Sequence, residues 1–302
     1  MAKILVTDGM DKNAAIAMKE LGHEIVEEFY ELDVLKEKVK EADAIIVRSK
    51  TKIRKDVIDS AKAAGRLKLI VRAGVGVDNI DVQYAKDNGI EVRNTPSASS
   101  ASVAELAIAH MFAISRFIPA ANVTMRNGEW NKKAYKGSEL GGKTLGVIGF
   151  GRIGIETAKR AKALGMNIIY TDFFGKKDGY DEFKYVEKDE LIKNADYITL
   201  HVPFIKENGP VLTKKEFAQM KDGVYLVNCA RGGVVCEAAL LDALETGKVA
   251  AAGIDVFEEE PTKNEKLINH SNVSVTPHIG ASTKEAQKRI GEELVEIVKT
   301  VF

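Results

Sequence analysis

Cysteine is nearly absent from this chain, and that scarcity is the first constraint on its chemistry. The 302 residues contain two, Cys229 and Cys236. Two are too few for the disulfide framework of a small secreted domain, and both fall within what reads as one strand–turn–helix. They are expected to be reduced thiols of an intracellular protein, with the cytoplasm as its compartment. Net charge is missing as well. Lys plus Arg number 44 and Asp plus Glu number 44, so the chain as a whole shows no bias toward nucleic acid or an anionic membrane surface. No segment approaches the roughly 18 uninterrupted apolar residues of a membrane span, and the opening MAKILVTDGM has too short an apolar run for a secretory signal. No HExxH, CxxC, carboxylate cluster with metal-ligand spacing or G-x-S-x-G elbow occurs, so no metal is expected and nucleophilic catalysis finds no support. Tandem repeats and low-complexity stretches are lacking too.

What the chain does have is organised around residues 143–172, KTLGVIGFGRIGIETAKRAKALGMNIIYTD. A short β-branched run leads into Gly149, Gly151 and Gly154, a helical pattern follows, and a second apolar run delivers Asp172. In such a loop the first glycine permits the turn, the second lets backbone approach a pyrophosphate, and the third lets helix and strand pack closely. The phosphates then lie at a helix N-terminus. A lone GxGxxG is weak evidence; strand, loop, helix, strand and acid in this order identify a dinucleotide site. Asp172 suits ribose hydroxyls and repels a 2′-phosphate, which favours NAD. Lys176 and Lys177 just downstream argue the other way unless they are solvated.

Before this unit, apolar runs at residues 3–7, 24–26, 44–47, 67–71 and 90–92 alternate with helical patterns at 13–21, 33–41, 55–64 and 81–88. After it come strands at 197–202, 224–230, 249–257 and 273–276, with helices at 214–220 and 236–245 between. Alternation of this kind predicts parallel α/β sheets. The expected fold is two doubly wound parallel-sheet domains with an interdomain cleft. One is a flavodoxin-like substrate domain, residues 1–96 plus 281–302, in which the final helix, 282–302, folds back. The other is a Rossmann NAD-binding domain, residues 97–280. A long helix over 103–118 is apolar on more than one face and is a candidate for a dimer contact or for a helix between the two domains.

In doubly wound sheets ligands bind beyond the carboxyl ends of the strands. Those ends carry Arg48, Arg72, Asn94, Arg231, Asp255, Glu260 and His278. Three arginines suit a substrate with more than one anionic group, because the guanidinium fork pairs with carboxylate or phosphate through two bonds. Of the five histidines, His278 has the best position. His23 and His270 read as loop residues, His110 lies mid-helix among apolar neighbours, and His201 ends a strand near the dinucleotide crevice. On spacing alone Glu258-Glu259-Glu260-Pro261 is an acidic surface turn. Glycines 232 and 233 would let the Arg231 loop come close to a ligand.

The chain resembles the D-isomer-specific 2-hydroxyacid dehydrogenase family, and within it the branch that oxidises 3-phospho-D-glycerate. The likeness is carried by IIVRSKTKI (45–53), VRAGVGVDNID (71–81), NTPSASSASVAELAIAHMFAISR (94–116), GKTLGVIGFGRIG (142–154), LHVP (200–203), VNCARGG (227–233), AGIDVFEEEP (252–261) and TPHIGASTKEAQ (276–287). It implies a catalytic set of Arg231, Glu260 and His278. It implies NAD contacts at Val75, Arg152, Ile153, Asp172, His201, Val202, Pro203, Cys229, Ala230, Arg231, Asp255, His278 and Gly280, beside the three loop glycines. A small phosphorylated 2-hydroxy or 2-oxo acid would meet Arg48, Ser49, Arg72 and Asn79, with its carboxylate cradled by the backbone of Gly74, Val75 and Gly76. The resemblance further implies a homodimer through the helix after the NTP motif, and the first step of serine biosynthesis.

Three departures stand out. Residues 206–210, KENGP, replace a pattern usually containing Pro and Thr. Cys236 stands where Asp or Asn commonly caps the helix. No counterpart of the regulatory domains of longer members follows the last helix, so feedback by serine through such a domain is not expected. The rival readings are a glyoxylate or hydroxypyruvate reductase of the same family, and a dinucleotide-sensing corepressor on the same fold.

Overall fold

Ala44, Ile45, Ile46 and Val47 are all fully buried, as strand residues must be when helices cover both sheet faces. In the computed structural model, which describes residues 1–302, they are the middle strand of a five-stranded sheet. The chain divides into two compact units, Met1–Ser99 with Ala281–Phe302 and Ser100–Gly280. The first boundary thus falls at Ser99 rather than at 96.

Unit 1 runs β1 (Lys3–Val6), α1 (Lys12–Glu20), β2 (Glu24–Glu27), α2 (Leu32–Lys38), β3 (Ala44–Val47), α3 (Lys55–Ala64), β4 (Leu69–Arg72), α4 (Val82–Asp87) and β5 (Glu91–Asn94). The strand order is β2-β1-β3-β4-β5 and every pairing is parallel. Direction of winding reverses between β1 and β3, so the switch point lies beyond their carboxyl ends. One face packs Leu35, Val57 and Ile58 against Ile45 and Ile70. The other packs α1 and the C-terminal helix, Lys284–Val301, through Met18, Leu294 and Val298 onto Ile4, Ile46 and Val71. Gly291 lets those two helices approach, because a β-carbon there would lie 2.9 Å from the β-carbons of Ala14 and Asp11.

Unit 2 runs α5 (Ser100–Ser115), α6 (Ile118–Arg126), β6 (Thr144–Ile148), α7 (Arg152–Ala163), β7 (Asn167–Thr171), β8 (Lys184–Tyr185), α8 (Lys188–Asn194), β9 (Tyr197–Leu200), α9 (Lys214–Gln219), β10 (Val224–Asn228), α10 (Glu237–Glu245), β11 (Val249–Ile254), α11 (Glu265–Ile268) and β12 (Val273–Val275). Its seven strands lie in the order β12-β11-β10-β9-β6-β7-β8, again all parallel. Here the switch point lies between β6 and β9.

Two expectations are corrected. The single helix over 103–118 is two helices bent by 63°. Phe117 takes a left-handed backbone, φ +56°, and Pro119 opens the second helix. The first helix spends its apolar surface within its own unit: Ala107 and Met111 are fully buried against Val147, Val227 and Ala251. Apart from Phe112 on the first helix, the large apolar side chains these two helices leave in the open lie on α6, where Ile118, Val123 and Met125 are exposed. The strands after Asp172 also stop short of the expected ends. β9 ends at Leu200, β10 at Asn228 and β11 at Ile254, which releases His201, Cys229, Ala230 and Asp255 into the loops beyond the sheet.

Candidate active site

The three glycines of the β6–α7 turn are required for three different reasons. Gly149 has φ +93°, and a β-carbon there would meet the His201 carbonyl oxygen at 2.6 Å. A β-carbon on Gly154 would lie 2.1 Å from the Gly149 carbonyl oxygen, so helix and loop can touch only without one. A β-carbon on Gly151 would meet nothing; what that glycine keeps clear is space outside the protein. Gly151 is also the N-cap of α7, with no side chain closing the cap, so the first-turn amides keep their donors for an anion. Arg152 is exposed and Ile153 half-buried at that same turn. Asp172, half-buried, accepts from the Phe150 amide at 2.6 Å through one oxygen and from the Phe174 amide at 3.0 Å through the other. It therefore holds the glycine loop in shape, and each oxygen keeps capacity for a hydroxyl. Lys176 is paired with Asp181 at 2.7 Å, and Lys177 lies near the Phe150 carbonyl and the Tyr180 ring. A cleared glycine, unfilled helix amides and a strand-end acid fit a dinucleotide.

Beyond the carboxyl ends of β11 and β12 in that sheet the candidate acid–base residues come together. His278 Nδ1 lies 2.7 Å from Glu260 Oε2, and the Phe257 amide donates to the other carboxylate oxygen at 3.2 Å. Burial alone would raise the Glu260 carboxyl. The hydrogen bond and charge of His278, the Phe257 amide and the Arg231 guanidinium outweigh it and hold that carboxyl below the ordinary glutamate range. The backbone of His278 is left-handed, φ +53°, a region that residues with a β-carbon avoid and that clusters at functional sites. Arg231 Nη1 donates to the Ala230 carbonyl at 2.6 Å. Asn228 shapes this loop, accepting from the Ala230 amide and donating to the Arg231 carbonyl, each at 3.1 Å. Gly232, after Arg231, permits a close approach within the protein itself. A β-carbon on Gly232 would sit 1.7 Å from the Phe257 carbonyl oxygen. The close approach is to the backbone of the loop leading to Glu260, so the Arg and Glu loops are seated on one another.

Asp255 is 1% exposed. Its carboxylate accepts from Thr276 Oγ1 at 2.6 Å and from the amides of Ile279 and Gly280 at 2.9 Å each, so it braces the turn that carries His278. His201 is not part of the acid–base cluster. Its Nε2 meets Thr199 Oγ1 at 3.1 Å, and burial pushes its pKa down to about 3, which keeps the ring neutral. Val202 packs on Gly149, and Pro203 is exposed. Burial, reinforced by the charge of Asp255, raises the Cys229 thiol well above its usual value; it is an inert thiol rather than a nucleophile.

The acidic turn resolves into three separate roles. Glu260 meets His278, Glu259 pairs with Lys263 at 2.9 Å, and Glu258 receives the Glu237 amide at 3.0 Å. Cys236 is indeed the N-cap of α10 and makes no side-chain cap; Glu258 satisfies the next amide from across the loop. That partner was invisible in the sequence because it lies 21 residues away.

In unit 1, Arg48 and Arg72 sit at the carboxyl ends of neighbouring strands, where Val47 pairs with Arg72. Ser49 is exposed beside Arg48. The loop is held by Asp8, a residue the sequence reading passed over although it stands just beyond β1. One Asp8 oxygen accepts from the amides of Arg48 (2.7 Å) and Thr51 (3.0 Å), the other from the Thr51 hydroxyl (2.7 Å). Asn79 donates to the carbonyls of Arg48 and Thr51, at 2.7 and 2.6 Å. Its amide hydrogens are therefore spent on the loop rather than offered to a ligand. The Gly74 amide is likewise taken by the Arg72 carbonyl at 2.9 Å, so it is not offered to a ligand either. Arg72 lies folded over Gly74: a β-carbon there would be 1.4 Å from Nη1.

Known proteins resemble this chain in sequence and fold. Residues 108–280 match the family described as D-isomer specific 2-hydroxyacid dehydrogenase, NAD binding domain. The chain is 50% identical over 298 residues to a hydroxypyruvate reductase of Thermotoga maritima, covering 97% of this chain and 96% of that protein. It is 49% identical over 305 residues to a D-3-phosphoglycerate dehydrogenase of Methanocaldococcus jannaschii, covering all of this chain and 58% of that protein. Among solved structures, a D-lactate dehydrogenase of Aquifex aeolicus, complexed with NAD and lactic acid, superimposes with a TM-score of 0.86 at 33% identity, over 98% of this chain and 94% of the other.

Proposed function

The chain belongs to the D-isomer-specific 2-hydroxyacid dehydrogenase family and is an NAD-dependent dehydrogenase, and from that premise we propose that its substrate pair is 3-phospho-D-glycerate and 3-phosphohydroxypyruvate. The observation that carries this reading is the pair Arg48 and Arg72 at adjacent strand ends of unit 1. A doubly anionic substrate needs a second cationic site beyond the one that holds its carboxylate; a small unphosphorylated acid does not. Bidentate guanidinium contacts suit the phosphate.

Bound NAD supplies the hydride acceptor. In the proposed reaction Arg231 anchors the substrate carboxylate and polarises the oxygen at C2. Glu260, bonded to Nδ1 of His278, fixes the tautomer with hydrogen on that nitrogen, so Nε2 takes the hydroxyl proton and later returns it. Positive charge arising on the ring is met by a carboxylate already held ionised. Asp8 and Asn79 keep the Arg48 loop in place for the phosphate. A cytoplasmic location and a homodimer are part of the same reading. Exposed Ile118, Val123 and Met125 on α6 supply an apolar face for a second copy, and a monomer by sedimentation would remove the dimer from it.

A second reading, reduction of hydroxypyruvate, is supported by the Thermotoga relative, which this chain matches over nearly its whole length. The two are separated by the ratio of kcat/KM for phosphohydroxypyruvate and hydroxypyruvate with NADH. The proposal expects the phosphorylated acid to be preferred and Arg72→Ala to erase most of that preference. A preference for hydroxypyruvate that Arg72→Ala leaves unchanged would reject it.

A further inference from the structure

A line of buried and half-buried polar groups connects helix α5 to the turn that carries His278. His110, on α5, is 3% exposed. Its ring fits beside β11 only because residue 253 is glycine: a β-carbon there would lie 2.6 Å from His110 Cβ. His110 Nδ1 is 3.2 Å from Ser274 Oγ and Nε2 is 3.0 Å from Thr276 Oγ1. Thr276 in turn donates to Asp255, which receives the amides of Ile279 and Gly280.

The hydrogens along this line can be assigned by elimination. A carboxylate only accepts, so the single hydroxyl hydrogen of Thr276 is spent on Asp255. Thr276 Oγ1 can then only accept from His110, which puts a hydrogen on Nε2. Burial lowers the His110 pKa, the Asp255 charge opposing it more weakly, and keeps the ring neutral. Nδ1 therefore presents a lone pair and receives the Ser274 hydroxyl. Every donor runs the same way, from Ser274 through His110 and Thr276 to Asp255, and such chains polarise one another. The line ends on the two amides that follow His278, whose left-handed backbone needs support from its surroundings.

We propose that His110 is a positioning residue, fixing the 276–280 turn through Thr276 and Asp255 so that the His278 ring stays in reach of Glu260. An apolar side chain of the same size would fill the space and still leave the Ser274 hydroxyl without its acceptor and the Thr276 oxygen without its donor. The inference rests on His278 being the proton carrier, and its test has a readout that does not.

The experiment compares His110→Leu with His110→Gln, whose amide can donate to Thr276 from about the Nε2 position. Hydrogen exchange of the peptide spanning 277–281 is measured together with kcat, KM and the NADH dissociation constant. For His110→Leu we expect exchange to quicken about tenfold and kcat to fall about tenfold or more, with KM and NADH binding nearly unchanged. His110→Gln should restore both exchange and kcat. A lower Tm with unaltered loop exchange and kcat would reduce His110 to a core filler and overturn the proposal. Quickened exchange without loss of kcat would instead leave the brace standing and overturn the role given to His278. Should His110→Leu fail to fold, Thr276→Val against Thr276→Ser makes the same comparison, and equal exchange in the two refutes the relay.

Discussion

The backbone amides of Glu237 and Glu258 each donate to the other's carboxylate, at 3.0 and 2.8 Å. This reciprocal clasp pins the first turn of α10 to the loop that presents Glu260 two residues later, and Asn264 adds a contact to the second Glu237 oxygen at 2.6 Å. It also replaces the cap that Cys236 does not make.

Glu258→Ala should therefore behave as the loss of a helix cap, lowering stability by about 1 kcal/mol, and should lower kcat as well because the Glu260 loop loosens. Glu259→Ala, which removes only an exposed pair with Lys263, should change neither by a measurable amount. Thermal melts and turnover of the two variants check the contrast; equal behaviour would mean that the clasp is surface decoration.

His278→Ala should lose about 10²- to 10⁴-fold in kcat, the usual worth of a positioned general acid–base, while NADH fluorescence titration gives an unchanged affinity. Loss of both together would signal collapse of the 276–280 turn rather than loss of a proton carrier.

The Glu260 carboxyl is held below its ordinary range in the folded protein. Its contribution to stability is then fully present above the unfolded-state value of about 4.3 and disappears as pH falls through the lower folded value. Glu260→Gln should flatten that acid limb without altering stability's pH dependence between neutral and mildly alkaline pH. Tm measured from pH 3 to 8 in both proteins tests the sign; an unchanged acid limb would contradict it.

Gly154→Ala and Gly151→Ala should fail in different ways. The first drives a β-carbon to 2.1 Å from a backbone oxygen, so it should lower Tm sharply or prevent folding. The second meets no protein atom; its Tm should stay close to that of the parent while NADH binding weakens. Calorimetry and a binding titration on the pair are sufficient, and a Gly151→Ala protein that binds NADH normally would refute the close approach of phosphate there.

Asp8→Asn should raise KM for the phosphorylated acid with little effect on NADH affinity, because the carboxylate takes three donors from the Arg48–Thr51 segment. Steady-state kinetics and an NADH titration decide it; a changed NADH affinity with an unchanged KM would argue against the assignment.

Legibility in the sequence tracked how local the cause was. The limits of α3 and β3 could be read directly, since Gly65 stops the helix in a left-handed conformation, φ +67°, and four adjacent buried residues announce the strand. β8 has two residues and α8 buries only Leu191 and Ile192; neither carries enough apolar pattern to be seen. The break at Phe117 was masked because Phe117 and Ile118 continue the apolar pattern after Ser115 and Arg116, although Pro119 was a signal of it. Among site residues, those at strand ends were found by the topology rule. Asp8, just beyond β1, obeys that rule too, but its partners in the Arg48–Thr51 segment lie 40 and 43 residues away and leave no local pattern. Glu258, Thr276 and His110 act through partners 21 to 166 residues away, and no spacing pattern encodes such partners.

The C-terminal helix has a consequence for the order in which the protein is made. Residues 100–280 form one unbroken stretch and can settle as soon as they clear the ribosome, since domains generally fold as units during synthesis. The first 99 residues emerge earlier and yet must wait. The sheet face bearing Ile4, Ile46 and Val71 is covered in part by Met18 of α1, and the rest is closed by Ile290, Leu294 and Val298, which follow residue 280 in the chain. The segment translated first is thus completed only after residues 100–280 have been made, and its half-covered apolar face is the natural target for a chaperone in the interval.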